Sequence, residues 1–277
     1  TYFRYVYIIN QYILPYFKNS DIEQLVRYDF NLYVEKLLEN LSPTSVKNTL
    51  GIFKSILNFS QRKYGYRFNF DFIAIPKTHT KELRVLSKRE KNKLEKYCEK
   101  NNTLRDIGIL ICLNTGLRIG EICALKWNCI DLDKHCIKVQ TTVQRIYNKN
   151  AKKSEVIIDI PKTQKSIRTI PISTKLYNIL KPLKKNFSKS CYFLTGSEYS
   201  YIEPRNYQYM FKKCLKKCKI NDFHFHQLRH TFATDCINVG MDTKSLSEIL
   251  GHATVKVTLD KYVHSSFNSK KKYLEKI

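Results

Sequence analysis

The chain has 277 residues, 43% of them hydrophobic and 26% charged, which supplies a folded protein with a sizeable core and excludes both a small disulfide-stapled scaffold and a disordered tail. Its 49 lysines and arginines against 24 acidic residues leave a net charge of +25. A surplus of that size repels itself and finds its use in neutralising a polyanion, above all the phosphates of nucleic acid.

The longest apolar run, 107–113, falls far short of the ~20 residues of a membrane span, and no signal segment opens the chain, so a cytoplasmic protein with no membrane partner is expected. The nine cysteines include no Cys-x-x-Cys pair and are expected to be reduced thiols. The first residue is Thr1 rather than Met, which implies natural sequence before it.

Residues 1–75 read as a helical domain. Tyr2, Val6, Ile9 and Ile13 suggest a first helix, and Leu32, Val34, Leu37 and Leu38 another. Ser42-Pro43 then combines a capping serine with proline at the first helical position, and Val46, Leu50, Phe53 and Leu57 continue one apolar stripe to about Tyr64. Residues 76–85, with a proline and no apolar period, read as an extended linker. Ser87 and Glu90 make a capping box that opens a second domain, 86–265. Up to residue 80 the chain has 10 basic and 6 acidic residues, a net +4; the rest has 39 and 18, a net +21.

The second domain reads as mixed. Helices are expected at 88–100, 104–114 and 118–126, then a three-stranded antiparallel sheet from 136–146, 155–160 and 167–172. Helices resume at 174–185, 204–218, 226–238, 243–250 (capped by Asp242) and 254–264, followed by a tail, 266–277. The fold class is mainly α with a small antiparallel β-sheet.

Three stretches carry the chemistry: NTGLRIGEICALKW at 114–127, HQLRHTFAT at 226–234 and LGHATVKVTLDKYVH at 250–264. On a helix, His226 and Arg229 project from one face, so both reach one phosphate. A guanidinium offers paired planar donors, and Arg118 with Arg229 can bracket a phosphodiester whose transition state gathers negative charge. Each such preorganised donor is worth on the order of 3–4 kcal/mol. No paired-carboxylate cluster of the kind that holds Mg²⁺ is evident, so no metal or other cofactor is expected and the nucleophile must be a side chain. A tyrosine hydroxyl, with its pKa near ~10, needs the arginines and a base such as His226 or His252.

Blander readings exist for each residue. Arg118 has a natural ion-pair partner in Glu121, one turn on; His230 reads as a core histidine; Tyr273 is the nearest rival to Tyr262. Cys214, Cys218, His224 and His226 have the right types for tetrahedral zinc, but Cys214 and Cys218 sit four apart in a Lys-rich helix rather than on a loop knuckle.

In order and content the three stretches resemble the tyrosine recombinase (phage-type integrase) family. The resemblance implies a two-domain clamp on duplex DNA, a helical core-site-binding domain joined to an α+β catalytic domain, and a site made of Arg118, His226, Arg229, His252 and the nucleophile Tyr262. It implies a lysine on a β-hairpin as donor to the leaving oxygen, where PKTQKSIRTIPI at 161–172 makes Lys162 the match and Lys165 its rival. Glu121 matches an acidic residue that orients an arginine. The resemblance further implies a tetrameric synaptic complex, an accessory directionality factor, and a tail that docks on a neighbouring protomer. The ten-residue step from His252 to Tyr262 is similar to that of integrases from conjugative transposons and phages of Gram-positive bacteria, which carry a further N-terminal arm-binding domain. A type IB topoisomerase or an architectural DNA-binding protein are the alternatives.

Overall fold

The computed structural model describes residues 2–68, 73–77, 83–148, 153–160 and 166–262. The chain divides into two compact units, Thr1–Glu82 and Leu83–Ile277.

The first unit is helical. Its chain passes from α1 (Tyr2–Ile8) through a π-helical turn, Ile9–Ile13, into α2 (Leu14–Phe17), then α3 (Ile22–Val26), α4 (Phe30–Asn40) and α5 (Pro43–Tyr64). Ser42 caps α5 by accepting from the Ser45 N–H, and Gly65, at φ 80°, ends it in the left-handed conformation that glycine takes without strain. The core is aromatic: Phe17 stacks on Phe53 at 4.8 Å, and Tyr33 stands edge-on to both. α3 has no counterpart in the apolar periodicity, because five residues cannot carry a period; its one signal is the capping box of Asp21 and Gln24.

The second unit is built around α7 (Leu104–Thr115), whose Ile107, Leu110, Ile111 and Leu113 are all at most 1% exposed. α6 (Lys88–Asn101), opened by the Ser87–Glu90 capping box, precedes it, and α8 (Ile119–Ala124) follows. At Gly108 a Cβ would lie 2.4 Å from Leu194 and 2.6 Å from the Tyr207 hydroxyl, so glycine is what lets α7 sit in the middle.

The β-structure departs from the expected single sheet. β1 (Ile130–Asp131), β2 (Cys136–Val139) and β5 (Arg168–Pro171) form one antiparallel sheet in the order β1-β2-β5, whereas β3 (Thr142–Asn148) and β4 (Lys153–Asp159) form a separate hairpin. The run 136–146 breaks at Gln140 and Thr141, which belong to no strand. Before the break the chain pairs with 168–171, and after it Thr142 pairs with Asp159 through to Asn148 with Lys153. No glycine or proline marks that break, so alternation alone reads straight through it. At Gly120 a Cβ would meet Thr142 Oγ1 and the Val143 carbonyl at 2.5 Å, so α8 rests directly on the start of the hairpin.

Five further helices follow among the described residues: α9 (Thr174–Lys184), α10 (Pro204–Lys217), α11 (His226–Asn238), α12 (Thr243–Leu250) and α13 (Val255–Tyr262). All nine cysteines are unpaired. No described helix is long and apolar enough to cross a membrane.

Candidate active site

The site forms where α12 stops. Gly251, at φ 63°, turns the chain, with its N–H donating to the Glu248 carbonyl and the His252 N–H to Ser247, the double bond of a Schellman ending. The next three carbonyls would be orphans. Instead each accepts from a different arginine: Ile249 from Arg168 Nε at 2.6 Å, Leu250 from Arg229 Nη2 at 2.6 Å, and Gly251 from Arg118 Nη2 at 3.1 Å. Three cations thus gather at the negative end of one helix dipole, each from a separate element.

Each arginine is fixed from its other side. Arg118 is the N-cap residue of α8, not part of the helix as the expected span 118–126 has it; its backbone is extended, and its N–H donates to Glu121 Oε2 at 2.8 Å. Its Nη1 donates to Glu121 Oε1 at 2.8 Å. Glu121 also receives Arg168, so one buried carboxylate serves two guanidinium groups. Burial acts to raise the Glu121 pKa, but the hydrogen bonds and charge of Arg168 and the charge of Arg118 outweigh it and hold the carboxyl below its ordinary value. Arg229, on α11, is 2% exposed and sends Nη1 to the Gly116 carbonyl at 2.9 Å. Gly116 ends α7 at φ 67°, where a Cβ would meet Phe232 at 2.7 Å and Leu250 at 2.8 Å, so only glycine presents that carbonyl. Burial, then the charge of Arg118, presses Arg229 down to about 9, still protonated at neutral pH.

The remaining polar groups lie on α11, the α12–α13 turn and α13. His226 opens α11 and is exposed, its ring edge-on to that of His230 at 4.7 Å. Partial desolvation of its ring, and the charges of Arg229, Lys261 and Arg118, lower its pKa. His252 bonds Thr258 Oγ1 through Nδ1 at 2.8 Å and lies parallel to the Tyr262 ring, centroids 6.4 Å apart. Burial and the surrounding arginines push His252 down to about 4, so it is neutral at neutral pH. Tyr262, the last residue of α13, is 7% exposed; burial raises its pKa while Arg229 and Arg118 oppose the rise.

The structure therefore brings Arg118, Glu121, His226, Arg229, His252 and Tyr262 into one region. Lys162, its rival Lys165 and the rival nucleophile Tyr273 lie outside the described residues, as does the tail 266–277. The cysteine–histidine set is not assembled: among the described residues, Cys214 groups its thiol with Cys98 and the Asp106 carboxylate, within 4.8 Å, rather than with His224 and His226. Two participants carry no signal in the three stretches as read. Arg168 sits in a strand and gains meaning only from Glu121, and His230, buried as a core histidine would be, has Nδ1 2.7 Å from the Tyr262 hydroxyl. Its spacing of four from His226 places it one turn along the same helix, which is the one clue in the sequence.

The arrangement gathers cationic donors and neutral imidazoles around a phenol, an environment that fits a phosphodiester and its developing charge. The model of the phage integrase family matches residues 84–269. The chain is 29% identical over 242 residues to a XerC-like tyrosine recombinase of Caldanaerobacter subterraneus, covering 76% of this chain and 61% of that protein. It is 26% identical over 285 residues to the ICEBs1 integrase of Bacillus subtilis (98% and 75%), and 28% over 221 to the transposase from transposon Tn916 of Enterococcus faecalis (73% and 53%). The chain thus spans between about half and three quarters of these relatives. In fold it is similar to the Tn1549 transposon integrase, solved in complex with transposon right end DNA, with a TM-score of 0.80 and 24% identity over 99% of this chain and 91% of that one.

Proposed function

The chain belongs to the phage integrase family, and from that membership we propose that it is a tyrosine-type site-specific recombinase that cuts and rejoins duplex DNA of a mobile element. The observation that carries the reading is the convergence of Arg118 and Arg229 with Tyr262 at the end of α12.

In this reading a scissile phosphodiester enters among the guanidinium groups, whose positive charge the single carboxylate of Glu121 offsets only in part. Arg118 and Arg229 stabilise its non-bridging oxygens, most strongly as charge builds in the transition state. Glu121 holds Arg118 in place. The Tyr262 oxygen forms a bond to phosphorus as the bond to the 5′-oxygen breaks, leaving a 3′-phosphotyrosine and a 5′-hydroxyl whose proton Lys162 donates. His226 and His252 assist phosphate binding and proton transfer. The phosphoester bond energy is retained in the phosphotyrosine, so a 5′-hydroxyl from another strand reverses the attack without ATP. Four protomers in a synaptic complex would allow the exchange, and the basic second unit supplies the DNA contact.

Incubating the chain with a duplex nicked so that the short fragment bearing the freed 5′-hydroxyl diffuses away, followed by denaturing electrophoresis, tests the reading. A covalent adduct is expected with the wild-type chain and none with Tyr262→Phe, which still binds DNA because only the hydroxyl is lost. An adduct that maps to Tyr273 would overturn the assignment. Supercoil relaxation without recombinant products would identify a topoisomerase instead.

A further inference from the structure

We propose that His230 is the general base of the cleavage step, taking the proton of Tyr262 through Nδ1. The inference rests on Tyr262 being the nucleophile. Among the described residues, His230 is the imidazole hydrogen-bonded to that hydroxyl, at 2.7 Å. The two histidines of the sequence pattern are placed otherwise: the Nδ1 of His252 is engaged with Thr258, and His226 meets the ring of His230 rather than the phenol.

The surroundings give His230 the state a base needs. It is 7% exposed, and the groups facing it are His226 and Arg229 from its own helix and Lys261 and Tyr262 from α13. Burial, followed by the charges of His226, Lys261 and Arg229, pushes its pKa down to about 4, so the ring is neutral at neutral pH and has a lone pair to offer. With its proton on Nε2, Nδ1 accepts the tyrosine O–H. Tyr262 for its part is held protonated by burial, so the proton must leave as the oxygen attacks.

Atoms and charges balance without a further reactant. The Tyr262 oxygen bonds to phosphorus, its proton passes to Nδ1, the bond from phosphorus to the 5′-oxygen breaks, and that oxygen takes its proton from the lysine donor. The imidazolium so formed would be repelled by the arginines of the free enzyme. Bound phosphate supplies the compensating negative charge, so His230 becomes a stronger base when substrate is in place. In the rejoining step the same proton returns to the departing phenolate.

The test is single-turnover adduct formation on the nicked duplex across a range of pH, with DNA binding followed in parallel by mobility shift. His230→Gln fills the space and can accept a hydrogen bond but takes no proton. It is expected to bind DNA like the wild-type chain and to form the adduct ~10²–10⁴-fold more slowly, with a rate that climbs about tenfold per pH unit as hydroxide replaces the base. A residue that merely positioned Tyr262 would lower the rate by the same factor at every pH, and that result overturns the proposal, as does a variant that cleaves at the wild-type rate. His230→Ala offers a second check, since free imidazole entering the vacated space should restore the rate; no rescue in a variant that still binds DNA counts against a base. A wild-type chain that forms no adduct, or forms it elsewhere, overturns the reading of Tyr262 itself and the role of His230 with it.

Discussion

Arg168 and Glu121 form a two-bonded ion pair inside the second unit, each carboxylate oxygen 2.9 Å from a guanidinium nitrogen and the two side chains only 5% and 3% exposed. The third nitrogen of Arg168 reaches the Ile249 carbonyl, so a strand, α8 and the end of α12 meet in one side chain.

Arg168→Ala is therefore expected to cost ~3–5 kcal/mol, because it leaves a buried carboxylate with half of its compensation. Arg168→Lys should recover little of this, since one ammonium cannot span both oxygens and the carbonyl. The protein's single tryptophan, Trp127, is 1% exposed in the same unit, so its fluorescence in a denaturant titration follows this unit. A loss under ~1 kcal/mol would mean that the pair is compensated from elsewhere.

Two of the histidines are expected to weaken the fold on the acid side. His230 and His252 are held at about 4 in the folded chain, against ~6.5 when unfolded. The unfolded chain takes up more protons between those values, so their contribution is complete above ~6.5 and is lost as pH falls through the folded values. The denaturation midpoint should drop over that window, and less steeply in the double variant His230→Gln, His252→Gln. An unchanged slope would show that neither histidine is held neutral.

Capped helices were the legible part of the sequence. Ser42-Pro43, Ser87 with Glu90, and Asp242 mark the starts of α5, α6 and α12 at the positions the structure gives them. Capping is local, and a few adjacent residues carry its whole signal. The sheet was less legible because pairing depends on a distant strand, and the unmarked break at Gln140 and Thr141 assigns the two halves of one run to different partners. The same distinction holds at the site. The three stretches name residues that the fold gathers, yet Arg168 lies 47 positions from Glu121 and His230 lies 32 from Tyr262. Neither relationship has a spacing that a sequence reader can test.

DNA binding should weaken steeply with salt. Neutralising ~6–10 phosphates releases their counterions and gives a slope of about −5 to −9 in a plot of log affinity against log salt. The charge excess beyond residue 80, 39 basic against 18 acidic residues, is the reason to expect that many contacts. A slope near zero, measured by fluorescence anisotropy, would contradict a phosphate-led interface.

Lys162 can be tested by changing the leaving atom. If its ammonium protonates the 5′-oxygen, Lys162→Ala should slow cleavage ~10²–10⁴-fold. A bridging sulfur departs as a thiolate and scarcely needs that proton, so the variant should regain most of its rate on a 5′-phosphorothiolate strand, whereas Arg118→Ala should not. Rescue of Lys165→Ala in place of Lys162→Ala would move the donor three positions along.

The three arginines at the end of α12 hold on to backbone oxygens, and this hides their anchor from ordinary mutagenesis. Exchanging the side chains of Ile249 or Leu250 alters packing but leaves every acceptor in place, so an alanine scan would score these positions as bystanders to the chemistry. The sensitive change is to the main chain itself. Replacing the amide after Leu250 by an ester, through semisynthesis, weakens that carbonyl as an acceptor and deletes the Gly251 N–H that bonds the Glu248 carbonyl, all without altering a single side chain, and should loosen Arg229 together with the end of α12.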